Sequence, residues 1–158
     1  MSLFTEPTAS REELEAYIGK KAKDKFYTKV LDIYMKDPNK PVWCWPACLL
    51  NMFWLCYRKS TGLAILLVLV LFSIIVLPIS LAIPIGILIL ILMGLFGVSI
   101  YLMSAEKQIA HIKKYNEPFG KKKVLEAISK KGGVSLNYAL VLYIVLVLLL
   151  FAVIKKLS

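Results

Sequence analysis

Residues 60–105 read STGLAILLVLVLFSIIVLPISLAIPIGILILILMGLFGVSIYLMSA and contain no charged side chain. A helix rises about 1.5 Å per residue, so roughly 20 apolar residues cross the hydrocarbon core of a bilayer. This stretch is therefore long enough for two crossings. Pro78 and Pro84 lie in its middle. Because proline lacks a backbone N–H and clashes with the preceding turn, we predict that one helix ends near residue 77 and another begins near residue 81. The predicted structure is a transmembrane hairpin with spans over 62–79 and 82–103.

The composition also indicates a membrane protein. Hydrophobic residues make up 59% of the chain, which is too many for a surface that faces water on all sides. A length of 158 residues leaves room for one membrane domain and a small polar head. Residues 1–16 are polar and acidic and lack the apolar core of a signal peptide, so we expect the membrane segments themselves to direct insertion.

A further uncharged run covers residues 136–154, and Lys155 and Lys156 follow it in the short tail 155–158. Its length fits a third span, and terminal lysines are typical of a helix end at a membrane surface. Ser135 or Asn137 is expected to cap this helix. The predicted fold class is therefore all-α: a polytopic helical membrane protein with a transmembrane hairpin and one further span.

Residues 1–41 are predicted to form a small cytoplasmic head of amphipathic helices. Ser10 and Glu13 fit a capping box, and the helix from Arg11 is expected to end near Gly19. A second helix is predicted from Lys20 to Met35. Its apolar stripe either folds back on the protein's own membrane domain, which we favour, or forms a docking surface for a partner or for anionic headgroups. The stripe consists of Phe26, Tyr27, Val30, Leu31 and Tyr34.

Residues 42–59, VWCWPACLLNMFWLCYRK, contain all the tryptophans of the chain. Tryptophan and tyrosine prefer the headgroup level of a bilayer, and long basic side chains reach toward it. We predict an interfacial helix over 47–57, too short to span, in which Asn51 needs a hydrogen-bond partner if it is submerged. The predicted membrane-interface residues are Trp43, Trp45, Trp54, Tyr57, Arg58 and Lys59.

These residues also carry a family resemblance. The segments Tyr17–Ala22, Trp43–Ala47 (WCWPA), Phe53–Lys59 (FWLCYRK) and Gly132–Ser135 (GGVS) resemble elements of a family of small bacterial membrane proteins known as domain of unknown function 2628. The similarity covers about residues 17–140, and the tryptophan block is its most specific part. The resemblance implies a helical protein of a bacterial inner membrane, and it implies no enzymatic activity.

The distribution of positive charge predicts the orientation. Residues 1–61 carry ten Lys and Arg, residues 104–135 carry eight, and the hairpin tip carries none. Because basic segments stay in the cytoplasm, we predict a cytoplasmic N-terminus, a basic cytoplasmic loop over 106–135 and a C-terminus outside. A re-entrant C-terminal helix is the alternative. Within the loop we predict a turn at 117–120 and a helix from Lys121 to Lys131 that ends at Gly132 and Gly133.

No catalytic, cofactor-binding or metal-binding pattern is present in the sequence. The single histidine, His111, has no nucleophile or acid at a matching spacing. Cys44, Cys48 and Cys56 lack the spacing of a zinc site and are predicted to be free thiols that pack as small apolar groups. The spans contain no ionisable residue, whereas ion and proton pathways normally need one. We therefore predict that the protein is not an enzyme and has no cofactor.

Two function classes fit these features. The first is a structural or interaction protein whose basic cytoplasmic face recruits a partner or anionic lipid; the second is a pore-forming protein of the holin or toxin-effector type. Either could act as a homo-oligomer or within a larger membrane complex. The lysines lack the interleaved arginines and aromatics of a nucleic-acid surface, so nucleic acid is not expected. Small residues that would permit close helix packing are Ala82, Gly86, Gly94 and Gly97.

Overall fold

The structure, a computed structural model, describes residues 7–75, 77–116, 118 and 120–157. These residues form helices and connecting segments without a strand, which confirms the predicted all-α class for this part of the chain. A 3-10 helix, Gly19–Lys23, lies between the first two α-helices. The α-helices are α1 Arg11–Ile18, α2 Lys25–Tyr34, α3 Trp45–Tyr57, α4 Thr61–Ile75, α5 Ile79–Asn116, α6 Lys121–Lys131 and α7 Leu136–Leu157.

The chain divides into two compact units. The head unit comprises Met1–Trp43 and Val98–Val134, and the apolar unit comprises Cys44–Gly97 and Ser135–Ser158. The predicted head 1–41 and nearly all of the predicted loop 106–135 therefore belong to one unit, which we did not predict. Helix α1 packs against α6, which lies more than 100 positions later in the sequence. Hydrophobic periodicity relates only residues that are close in sequence, so it does not predict this contact.

The capping box at the start of α1 is confirmed. The Ser10 backbone N–H donates to the Glu13 carboxylate at 2.8 Å, and the Glu13 N–H donates to the Ser10 hydroxyl at 3.3 Å. Gly19 follows the helix with a φ of +74°, a conformation that glycine adopts without steric cost. The predicted start of the second helix at Lys20 was wrong. The chain first makes the 3-10 turn, and Asp24 is extended before α2 begins at Lys25.

The apolar stripe of α2 is packed inside the protein. Its residues Tyr27, Val30, Leu31 and Tyr34 are buried, and Phe26 at its edge is partly exposed. Other large buried side chains of the head unit lie on α1, α5 and α6, and they include Leu14, Tyr17, Ile18, Tyr101, Leu102, Ile109 and Ile128. The stripe thus contributes to the core of the head unit itself, whereas the favoured interpretation placed it against the membrane domain.

The end of α6 meets the end of α1 at two glycines. The Gly133 N–H donates to the Tyr17 carbonyl at 2.7 Å. A Cβ placed on Gly132 would lie 2.1 Å from the same carbonyl oxygen, so no larger residue fits there without a backbone shift. The predicted helix Lys121–Lys131 and its end at Gly132 are confirmed. Residues 117 and 119 of the predicted turn lie outside the described part of the chain.

The break in the apolar stretch lies where the sequence predicts it, but only one proline marks it. Helix α4 ends at Ile75, and α5 begins at Ile79, directly after Pro78. The Pro78 carbonyl accepts from the N–H groups of Leu81 and Ala82 at 2.9 and 3.0 Å, which starts the helix. Pro84, predicted to mark the break, lies inside α5. Its missing N–H removes one hydrogen bond near the start of a helix of 38 residues, which the remaining bonds sustain.

Helix α5 is long and apolar enough to cross a membrane, and it is the only such helix among the residues that the structure describes. It continues without interruption beyond the predicted span 82–103 into a polar segment that ends at Asn116. Thr61–Ile74 and Leu136–Val145 are shorter apolar helical segments. Ser135 caps α7, since its hydroxyl accepts from the Tyr138 N–H at 3.3 Å. Helix α7 extends through Leu157, so residues 155–157 of the predicted tail are helical, and residue 158 is not described.

Candidate functional site

Helix α3 holds the tryptophan block, and it is not the continuous helix that we predicted over 47–57. Pro46 occupies its first turn, but Asn51 interrupts it with φ 41° and ψ −106°. Asparagine adopts positive φ more readily than most residues, which helps to place the kink here. The Asn51 side-chain oxygen is buried and has no hydrogen-bond partner within the described chain, so the partner that we expected is not found there.

The six predicted membrane-interface residues do not form a single exposed band. Trp45 is 63% exposed, whereas Trp54 and Arg58 are each 3% exposed and are packed within the protein. Trp43, Tyr57 and Lys59 are half-buried. An interfacial position therefore stays a prediction for Trp45 and for the three half-buried side chains. The side chains of Trp54 and Arg58 are instead packed against other parts of the protein.

The small residues of α5 divide into a contacting pair and an open pair. The Gly94 carbonyl accepts from the Cys44 N–H at 2.8 Å. A Cβ on Gly97 would lie 3.2 Å from the Cβ of Ala47. Both glycines thus let the start of α3 approach α5 closely. Gly86 has no neighbouring atom within 4 Å of the position that its Cβ would take, and Ala82 is half-buried.

The starts of α4 and α7 lie at the same end of the apolar unit. The Ser135 N–H, directly before α7, donates to the Tyr57 carbonyl at 3.1 Å. The hydroxyl groups of Thr61 and Tyr138, near the first residues of the two helices, share a hydrogen bond. The rings of Phe53 and Tyr143 meet edge to face, with their centroids 5.6 Å apart. The first two contacts place the starts of α4 and α7 next to each other, and the third packs α7 against α3.

The apolar unit exposes large hydrophobic side chains along three helices. Exposed apolar area in water costs about 25 cal/mol per Å², and soluble monomers rarely carry extended patches of this kind. The same faces match the hydrocarbon of a bilayer. Examples are Ile65, Leu66 and Leu69 on α4, Ile83, Ile87 and Leu88 on α5, and Val141, Ile144 and Leu148 on α7.

The head unit contains sixteen of the twenty Lys and Arg and all ten Asp and Glu of the sequence. Several of these charges are paired: Lys121 with Glu12 at 2.6 Å, Lys21 with Asp24 at 3.5 Å, and Arg11 with both Glu15 and Asp32. Among the described residues of this unit, exposed lysines outnumber exposed acids. The head unit therefore presents a folded, positively charged surface.

One ion pair of the head unit is partly buried. Lys113 lies 2.9 Å from the Glu13 carboxylate, whose side chain is 11% exposed. Burial by itself disfavours the charged form of Glu13, but hydrogen bonds from Lys113 and from the Ser10 N–H favour it more strongly, and its pKa falls below the ordinary value. Nearby, burial raises the pKa of Tyr17 to about 12, so this phenol stays neutral.

A cavity of about 350 Å³ lies beside this ion pair. The buried Glu106 contributes to its wall, and the segment of Thr8 and Ala9 closes one side. Sequence reasoning missed this cluster, because its members are about 100 positions apart and carry no recognisable spacing. The lining residues are Thr8, Ala9, Glu106, Ile109, Ala110, Lys113 and Lys114.

The three cysteines are buried and free, which confirms the prediction for them. Within the described ranges, no group of three His, Cys, Asp or Glu side chains is arranged to hold a metal ion. His111 is exposed, and its ring centroid lies 4.9 Å from that of Tyr115.

Comparison of the chain with models of protein families, with curated proteins and with solved structures gave no match. The resemblance to domain of unknown function 2628 therefore stays a prediction.

Proposed function

We propose that this chain is a small integral membrane protein of structural or interaction type, which recruits a partner or anionic lipid through a basic cytoplasmic face. The observation that carries the proposal is the contrast within one chain between an apolar unit with exposed hydrophobic helices and a head unit with exposed lysines. The assignment to a bacterial inner membrane rests on the family resemblance. The proposal includes no catalytic step.

Three spans with a cytoplasmic N-terminus form part of the proposal. The shared end of α4 and α7 supports it, because two helices that start together enter a membrane from the same side. If α4 enters from the cytoplasm, α7 then places the C-terminus outside. Helix α4 has 15 residues, which corresponds to roughly 22 Å, so we expect local thinning of the bilayer or tip residues at headgroup depth.

The proposal can be tested with the full chain expressed in bacteria. We expect the protein to stay in the membrane pellet after an alkaline wash and to leave the membrane potential unchanged when expression is induced. Release by the wash would show that it is not integral. Rapid depolarisation of a potential-sensitive dye would favour the pore-forming class instead. Co-purification in a mild detergent would then identify a protein partner, if one is bound.

A further inference from the structure

The contact between α1 and α6 gathers lysines from two distant segments of sequence. A Cβ on Gly19 would lie 3.3 Å from the Gly133 Cα, so the backbones cross at these glycines. Lys20 and Lys23 follow Gly19, and Lys130 and Lys131 precede Gly132. We call these four the junction lysines. All four are exposed, and none has an ion-pair partner among the described acids.

The local balance of charge at the junction is positive. Asp24, the acid nearest in sequence to Lys23, is already paired with Lys21. Glu126 is exposed on α6 four residues before Lys130 and offsets one charge at most. Lysines near a helix C-terminus also stabilise the helix dipole, which gives part of the reason for Lys130 and Lys131. It does not explain the lysines of the 3-10 turn, which follow the glycine that approaches Gly133.

The junction lies close in sequence to the start of α7. Lys131 is five residues before Leu136, where the apolar helix α7 begins. Five residues of extended chain span at most about 18 Å, so the junction stays close to the surface at which α7 enters a membrane. Lysine is a point charge suited to phosphate, and the junction lacks the arginine and aromatic side chains that read nucleic-acid bases.

We propose that the junction lysines bind the phosphate groups of anionic phospholipids at the membrane surface where α7 begins. This inference rests on the proposed membrane function and deepens it by naming the ligand and its residues. Each lysine close to an anionic surface contributes about 1 kcal/mol, and a factor of ten in affinity corresponds to about 1.4 kcal/mol. Three lysines together can therefore account for a tenfold or greater effect.

The experiment uses the full chain, delipidated in a neutral detergent and titrated with a fluorescent short-chain phosphatidylglycerol. The test variant is Lys20→Gln/Lys130→Gln/Lys131→Gln. The matched control, Lys25→Gln/Lys29→Gln/Lys36→Gln, removes the same charge from exposed positions on or directly after α2. We expect affinity to fall at least tenfold in the test variant and less than twofold in the control, while phosphatidylcholine binds all three proteins equally weakly.

Several outcomes would overturn the inference. Equal weakening in the two variants would show that only total charge matters, and no weakening would show that the junction is not the site. Displacement of the lipid by equimolar glycerol phosphate would point to a soluble phosphate ligand, and tighter, junction-dependent binding of an RNA oligonucleotide would point to nucleic acid. If the triple variant unfolds without lipid, the single changes Lys20→Gln and Lys131→Gln replace it, and each is expected to lower the affinity for phosphatidylglycerol about threefold.

Retention of the full chain in the membrane pellet is a separate test of the proposed function.

Discussion

The two units of this protein differ in where their large apolar side chains lie. In the head unit, short helices turn their apolar stripes inward and cover a core that includes Tyr17, Leu31 and Ile128. In the apolar unit, α4, α5 and α7 expose large aliphatic side chains along much of their length. The head unit contains every acid of the sequence, and the apolar unit contains none.

Under the proposed membrane function, this difference corresponds to two solvents for one chain, water for the head unit and hydrocarbon for the apolar unit. The hydrophobic effect stabilises a core that excludes water, which is the arrangement of the head unit. Exposed aliphatic faces gain nothing from water, and in hydrocarbon only the backbone needs internal hydrogen bonds, which helices provide. Each of the following predictions would break or sharpen the comparison, and they are ordered by the size of the expected effect.

The largest effect concerns the side of the membrane on which the head unit lies. In a chain with Cys44, Cys48 and Cys56 replaced by alanine, Lys122→Cys on exposed α6 should resist an impermeant maleimide added to spheroplasts, because the head is predicted to be cytoplasmic. Ile79→Cys, 76% exposed at the predicted outer tip, is the positive control and should react. Strong labelling of Lys122→Cys without lysis would reverse the topology.

The second effect concerns the glycine contact that closes the head unit. Gly132→Ala places a methyl group 2.1 Å from the Tyr17 carbonyl oxygen, so the backbones must separate. We expect a loss of about 3 kcal/mol in the free energy of unfolding, measured by thermal unfolding in detergent. Gly62→Ala is the matched control, since a Cβ there has no neighbour within 4 Å. Equal melting of the two variants would contradict this close approach.

The third effect concerns packing within the apolar unit. Gly94→Leu/Gly97→Leu should force α3 away from α5 and lower stability by about 1–3 kcal/mol, because Gly97 has the Ala47 methyl group as its immediate neighbour. Gly86→Leu, at the open position, should melt like the wild type. If Gly86→Leu instead changes migration in size-exclusion chromatography, that open face packs against a second chain.

The smallest effect concerns the partly buried ion pair between Lys113 and Glu13 in the head unit. Lys113→Gln should lower stability at pH 7 by about 1 kcal/mol, a modest figure because Lys113 is 40% exposed. Since the pKa of Glu13 is lowered in the folded state, its contribution is present above its unfolded pKa and is lost as the pH falls through the folded value. The difference between variant and wild type should therefore narrow below about pH 4.

Lys121→Gln serves as the control for this change. Its pair with Glu12 is more exposed, so the loss of stability should be smaller. A larger loss from Lys121→Gln than from Lys113→Gln would mean that burial does not set the strength of these pairs.

Local sequence signals were sufficient for much of the helical pattern. The capping pair Ser10 and Glu13, the break before Pro78 and the glycines after α6 act within a few residues, so their effects follow from chain chemistry alone. The interruption of α3 at Asn51 and the passage of α5 through Pro84 did not follow in the same way. Packing against distant residues can stabilise a kink or compensate for a lost hydrogen bond. The local sequence pattern does not show which distant residues those are.

The sequence by itself determined that the chain is helical, that its middle is uncharged and apolar, and that its positive charge is concentrated on both sides of that middle. These properties depend on composition and on the spacing of apolar and charged residues over a few positions. Only the tertiary structure decided that the described parts of 7–43 and 98–134 share one core, that Trp54 and Arg58 are buried, and that the backbone at Gly19 approaches the backbone at Gly133. Such contacts depend on which helix faces pack together when apolar surface is removed from water. That packing is determined by residues throughout the chain and not by any one local segment.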